Sequence, residues 1–456
     1  MISYDDVLKI AKTQIKKWYD YHAMQEVTLI RDVLGRIAVL ISHFALSSDN
    51  SLEILKNDMK NALGHYFTGI VYHKEKINQT DVEKEIIKKI EILRNIVDRD
   101  QNCTWYMLER TIAKKAWLDQ PGDKQPIWDY EDANSLNKPR VISYYSFKGG
   151  MGRTTALVAS ALLLAKARYN VLIIDTDVEA PGLANIFFDD SSINNGTVDY
   201  FVEYQASNSY APDMLAYILE VTDESVVEET DGKIFLIPAG QTNDFYLSKL
   251  ARIDYQDIVE DGMRKAVVRL IEQAVDFLQE KGIKMDYILM DARAGFHDLG
   301  GVITFQIPHG IVLVGRDTRQ SWQGLNKAIA LAATTQKEPI PFVIVDNMCE
   351  EYTEKSKKGL ESFKSHSYAS CCDFYYLESE AQPGPEAKNV PHSPVYVPYS
   401  PVLKEEIFLF SDGSQEKTEQ VTSIKNVLCN EHYQELVERI HSWFENNQVE
   451  GGEQNG

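Results

Sequence analysis

An apolar, β-branched run beginning at Val141 gives way to Ser146-Phe147-Lys148-Gly149-Gly150-Met151-Gly152-Arg153-Thr154-Thr155, and a long apolar helix pattern follows from Ala156 to Ala167. A strand, a glycine-rich turn and a helix in immediate succession form the context that a phosphate-binding loop requires. Gly149, Gly150 and Gly152 accept positive φ and carry no Cβ, so backbone N–H groups can converge on phosphate oxygens. The free N–H groups and the positive dipole end of the following helix point at the same anion. Thr154 places a hydroxyl where a magnesium ion bridging the phosphates needs an oxygen, and Thr155 reaches a further phosphate oxygen.

Two positions depart from the plain pattern G-x-x-x-x-G-K-[ST]. Phe147 stands at the first glycine and Arg153 at the lysine. Four later stretches belong to the same sheet edge. Asn170-Val-Leu-Ile-Ile-Asp-Thr-Asp177 is a buried-strand pattern ending in two carboxylates, and Pro181 and Gly182 break regular structure soon after. Asp286-Tyr-Ile-Leu-Met-Asp291-Ala-Arg-Ala-Gly295 brings a strand into a carboxylate with a glycine four residues on. Pro341-Phe-Val-Ile-Val-Asp-Asn347 and Val395-Tyr-Val-Pro398-Tyr-Ser-Pro401 are two more strand ends with polar or proline-rich exits.

Lys148-Gly-Gly-Met-Gly-Arg-Thr-Thr155 resembles the deviant phosphate loop of the ParA/MinD family, the CobQ/CobB/MinD/ParA nucleotide-binding domains, which is marked by a lysine directly before the double glycine. The resemblance implies a P-loop ATPase that takes ATP and Mg2+, with residues 148–155, Met151 and Arg153 included, around the phosphates. It assigns Lys148 and Asp177 to catalysis. Lys148 reaches across a homodimer to phosphates on the facing subunit, and Asp177 orients the attacking water. Thr154, Asp175 and Asp291 serve the metal, and Gly295 senses the γ-phosphate. Asn347 hydrogen-bonds adenine, and Pro398 lies in the segment along the purine. Arg293 is open between a phosphate or partner contact and a surface ion pair. A guanidinium is broader than an ammonium, so Arg153 implies slow hydrolysis. The expected function is an ATP-driven dimerisation switch that controls a protein partner. A nucleotide-binding module without hydrolysis is one alternative. A ligase of the CobQ/dethiobiotin-synthetase type is another, although no residue set for its small-molecule pocket is evident. A bacterial tyrosine kinase is disfavoured, because no tyrosine cluster follows Trp443.

Apolar strands near 141–147, 171–175, 234–238, 286–290, 311–315, 341–346 and 395–398 alternate with helical patterns, which predicts a doubly wound, mostly parallel α/β sheet with its ligand at the C-terminal edge. Before it, residues 1–130 predict a smaller all-α domain, the expected site of the partner protein. Val27, Ile30, Val33, Leu34, Ile37, Leu40, Ile41 and Phe44 recur at helical spacing, as do Val82, Ile86, Ile90, Leu93 and Val97 behind Thr80 as N-cap. Ile54, Leu55, Met59, Leu63 and Phe67 form a third stripe, and 103–117 closes the bundle, with Trp105 and Trp117 as core or interdomain anchors. A linker is expected at 131–139, the ATPase domain at 140–445 and a polar tail at 446–456.

The formal net charge is −21, and residues 1–130 are near neutral, so the ATPase half carries the surplus. That opposes DNA binding through counterion release. The last helix pattern, Glu431 to Phe444, is acidic, which disfavours a basic membrane-targeting helix. The five cysteines show no C-x-x-C pair or zinc spacing and are read as reduced. With no apolar run long enough to span a bilayer, the expected location is the cytoplasm.

Overall fold

The computed structural model describes residues 2–22, 25–42, 49–75, 79–99, 103–111, 113–118, 122, 124–188, 193–207, 211–254, 262–351, 353, 356–376, 382–404 and 406–444. The expected polar tail at 446–456 lies outside them. The chain divides into two compact units, Met1–Ala113 and Lys114–Gly456.

The first unit is not all-helical. Its strands β1 (Glu26–Arg31), β2 (Ile37–Ser42), β3 (Phe67–His73), β4 (Asn95–Arg99) and β5 (Thr104–Glu109) form one sheet in the order β3-β2-β1-β5-β4. β1 pairs antiparallel with β2 and parallel with β5. The helical expectation fails over 26–42 because both faces of this hairpin are covered. Val27, Leu29, Ile37, Val39 and Ile41 pack into one cluster with the helices Val7–His22 and Asp49–Leu63. Ile30, Ala38 and Leu40 pack on the other side with Ile87 and Ile90. A strand buried on both faces reads as a continuous apolar run, in which a 3.6 period is found as easily as a period of 2. The disambiguating signal is the turn. Asp32 accepts from the backbone N–H groups of Leu34 and Arg36, and Gly35 sits at φ +80°. The helix Asp81–Leu93 does form behind Thr80, whose hydroxyl and Glu83 make a reciprocal capping box.

The second unit carries eight strands: β6 (Arg140–Tyr145), β7 (Val171–Asp175), β8 (Leu219–Glu220), β9 (Ile234–Ile237), β10 (Tyr287–Asp291), β11 (Gly310–Gly315), β12 (Phe342–Cys349) and β13 (Val395–Pro398). Their order is β13-β12-β11-β6-β10-β7-β9-β8. Every pairing is parallel except that of the short β8 with β9. All seven expected strands are present, and two apolar clusters cover the two faces. Val141, Leu172, Ile288 and Leu313 face one and Ile142, Ile173, Leu289 and Val312 the other. This is the doubly wound mixed sheet that the strand–helix alternation predicts.

The stretch expected as a linker at 131–139 is instead part of this unit. The helix Tyr130–Asn134 places Ala133 in the core, and Trp128 Nε1 donates to the Pro139 carbonyl at 2.8 Å. Among the described residues, no helix is long and apolar enough to cross a membrane.

Candidate functional site

β6 lies in the middle of the sheet and runs out at Tyr145 into the loop 146–152, from which the helix Arg153–Lys166 departs. Eleven of its side chains are buried, so the helix N-terminus is held firmly under the sheet edge. Gly150 and Gly152 adopt φ +73° and +79°, the left-handed region that the turn requires. Gly149 does not, contrary to the expectation. A Cβ on Gly149 or Gly150 would meet open space, whereas one on Gly152 would lie 1.9 Å from Asn347 Nδ2. Phe147 fills the position of the missing first glycine by packing inward. It sits 4.9 Å from the Phe296 ring, and a Cβ on Gly324 would overlap it at 1.8 Å. The departure from the plain loop pattern is thus matched by a glycine in the facing helix Arg319–Thr334.

Arg153 does not face the open side of the loop. It is 7% exposed, and its guanidinium forks between two carboxylates, with Nε donating to Asp291 Oδ1 and Nη2 to Asp177 Oδ2, the latter at 2.9 Å. Burial opposes its charge, but Asp291 and Asp177 more than offset that and raise its pKa. The expectation that Arg153 contacts phosphate is therefore not what this geometry displays. A guanidinium offers a rigid fork that two separated carboxylates can share, which an ammonium cannot reproduce.

Thr154 Oγ1 donates to the other oxygen of Asp291 at 2.7 Å. A hydroxyl and a carboxylate at this spacing, beside an open loop, are the hard oxygen donors that Mg2+ takes when phosphates and water complete its shell. These two residues fit the metal. Asp175 does not present itself in the same way. It is 1% exposed, with its oxygens accepting from the backbone N–H groups of Asp177 at 3.0 Å and Leu183 at 3.4 Å. Burial, and then the Asp291 and Asp177 charges, push its pKa up to about 8. Asp175 braces the turn after β7. Among the described residues, no three His, Cys, Asp or Glu side chains are grouped to hold a metal by themselves.

The segments after β7 and β10 are tied together. Arg293 Nη1 donates to Asp177 Oδ1 at 2.9 Å, its Nη2 lies 2.8 Å from Glu179 Oε2, and His297 Nε2 is 3.0 Å from Glu179 Oε1. Arg293 is thus an intramolecular ion-pair residue here. Glu179 and His297 escape the sequence reading, although each lies within four residues of a nominated one. Gly295, at φ +75°, donates its N–H to the Ser146 carbonyl at 3.4 Å, which places it beside the loop.

Asn347, two residues before the end of β12, is 3% exposed, and its Nδ2 donates to the Met151 carbonyl at 2.7 Å. It acts as a strut beneath the loop. Pro398 ends β13 in register with Cys349 and is half-buried. Thr155 is half-buried, and Lys148 is exposed with no ion pair among the described residues. A cleft of ≈ 340 Å³ opens beside this edge, lined by Arg316, Asp317, Asp346, Met348, Cys349 and Leu360 among others. Burial and the Asp317 charge push Asp346 up to about 7 there.

A family model described as the CobQ/CobB/MinD/ParA nucleotide binding domain matches residues 142–367. An iron–sulfur cluster carrier protein of Rickettsia typhi is 30% identical over 110 residues, which is 24% of this chain and 31% of that protein. The chain thus spans about a third of the length of the curated relative it matches. Among solved structures, pNOB8 ParA aligns at 17% identity and TM-score 0.46, over 68% of this chain and 100% of that one. The Pyrococcus furiosus cell division ATPase MinD aligns at 17% identity and TM-score 0.40, over 66% and 98%.

Proposed function

From the premise that residues 142–367 belong to the CobQ/CobB/MinD/ParA nucleotide-binding family, we propose that this chain is a slow, Mg2+-dependent ATPase whose ATP-bound form dimerises and controls a partner protein. The observation that carries the reading is the Thr154–Asp291 contact at 2.7 Å beneath a loop whose glycines leave its outer face open. In this reading the backbone of 149–152 and the helix N-terminus hold the phosphates, while Thr154 and Asp291 hold the metal, which neutralises phosphate charge. Asp177 orients the attacking water from the segment facing the loop. Lys148, exposed and with no ion pair among the described residues, supplies a cation to a facing copy. The Gly295 N–H leaves the Ser146 carbonyl for a γ-phosphate oxygen, so the segments after β7 and β10 respond to hydrolysis.

One observation favours the second reading, a nucleotide-holding module with negligible turnover. Arg153 engages Asp177, the residue proposed to position water. Phosphate release with and without Mg2+ separates the two, beside nucleotide affinity measured by a fluorescent ATP analogue. Turnover that rises with Mg2+ supports the first reading. Tight binding without turnover supports the second, and no binding rejects both. The partner is expected to engage the first unit, and the acidic charge of the chain argues against DNA as that partner.

A further inference from the structure

We propose that Lys114–Leu118, the first residues of the nucleotide-binding unit, clamp the turn after β10 and follow its movements when nucleotide binds, with Trp117 as the positioning residue. The proposal rests on the reading of Gly295 as a phosphate-sensing group.

The clamp is built from specific contacts. Trp117 is 2% exposed, and its Nε1 donates to the His297 carbonyl at 2.7 Å. Its ring stands edge-on to Phe296 at 4.9 Å and to Phe305 at 5.2 Å. Lys114 Nζ lies 2.8 Å from Asp298 Oδ2, and the Lys114 backbone N–H donates to the other oxygen of that carboxylate. Lys114 holds this position at φ +69°, a conformation that costs a non-glycine residue energy and persists only where its surroundings impose it.

The turn is shaped to receive the clamp. A Cβ on Gly301 would lie 2.8 Å from Trp117 Nε1 and 2.9 Å from Ala116 Cβ. Phe305 belongs to a π-helical turn, Val302–Gln306, a local irregularity that recurs at functional sites. On its other side the same turn reaches the site. His297 pairs with Glu179, Glu179 with Arg293, and Arg293 with Asp177, all within 3.0 Å. A contiguous set of contacts therefore runs from Asp177 through Arg293, Glu179, His297 and Asp298 to Lys114. Because Gly301 leaves no slack against the indole, the turn cannot shift without moving Trp117.

The test is amide hydrogen exchange on the full chain with and without a slowly hydrolysed ATP analogue and Mg2+. Exchange over 114–118 is expected to change by roughly fivefold or more on binding, the lower end of ordinary coupling between sites. In Trp117→Phe, which keeps a ring but loses the hydrogen bond, that nucleotide response should fall away while analogue affinity stays within about threefold. Lys114→Ala, an outer contact that spares the core, should weaken the response in the same direction. A native chain that binds the analogue with no change over 114–118 overturns the clamp and leaves the ATPase reading standing. So does an undiminished response in both variants. Failure of the native chain to bind the analogue overturns both.

Discussion

Arg153 and Asp291 meet as a buried ion pair at the C-terminal end of β10, with Asp177 closing the other side of the guanidinium fork. The pair draws a cation away from the open face of the loop and toward the two carboxylates that the proposed reaction needs. Arg153→Lys should release one of them, since an ammonium is a point charge that cannot bridge both. Turnover is expected to rise by about tenfold, equivalent to ~1.4 kcal/mol of barrier. Arg153→Ala should instead leave the buried Asp291 and the half-buried Asp177 uncompensated and destabilise the fold by roughly 3–5 kcal/mol. Phosphate release and thermal melting of the two variants check this. Equal turnover in native protein and Arg153→Lys would show that the fork does not limit the rate.

Lys148 is exposed at the start of the loop, with no carboxylate partner among the described residues. Removing it costs the isolated chain nothing in packing, so Lys148→Ala should melt like the native protein and still bind nucleotide. It should lose ATP-dependent dimerisation and most turnover, by about 10³-fold if it acts as a finger in trans. Light scattering after size separation, with an ATP analogue present, reads the first effect. Native turnover in the variant would remove the trans role.

The legible parts of this chain are those in which local and global signals agree. The loop, its helix and the seven parallel strands declare themselves because each strand is a short apolar run ended by a turn former or a carboxylate. Asp177, Asp291 and Thr154 do converge, because strand C-termini of a parallel sheet share one edge. What is lost to the sequence depends on distant pairing. The hairpin Glu26–Ser42 is apolar on both faces, so periodicity misassigns it, and only Gly35 and the β-branched composition speak for strands. The role of Arg153 rests on a partner 138 positions along the chain, Asp291, a separation no local pattern spans. Trp117 reads as a generic anchor until His297 and Gly301 are seen against it.

Gly152 combines left-handed backbone with contact to Asn347, so Gly152→Ala suffers twice. The φ of +79° strains any side chain, and the new Cβ would collide with the amide that supports Met151. Nucleotide affinity should fall by roughly 10²-fold or more, since strain and overpacking each cost about 1–3 kcal/mol. Asn347→Ala removes the strut without strain, and a net hydrogen bond of about 1 kcal/mol corresponds to a loss near fivefold. Titration with a fluorescent nucleotide ranks the two. An Asn347→Ala defect larger than that of Gly152→Ala would mean that Asn347 contacts the nucleotide itself.

Asp175 makes stability depend on pH in a defined direction. Its folded-state pKa, pushed up to about 8 chiefly by burial, lies above its ordinary value of 3.8. Between these values the folded chain holds a proton that the unfolded chain has released, so stability falls as pH rises through this window and levels off above it. Asp346, raised to about 7, acts in the same sense. His309 acts in the opposite sense between about 4 and 6.5, because burial lowers its pKa and the unfolded imidazole takes up the proton. The informative quantity is therefore the difference between the native chain and Asp175→Asn, melted in parallel from pH 5 to pH 8 without nucleotide. The variant keeps an oxygen for the Asp177 N–H and has no proton to lose. It is expected to match or trail the native chain near pH 5 and to gain on it steadily toward pH 8. A constant difference across the range would mean that Asp175 is ionised in the folded chain, and its place as a neutral brace would fall.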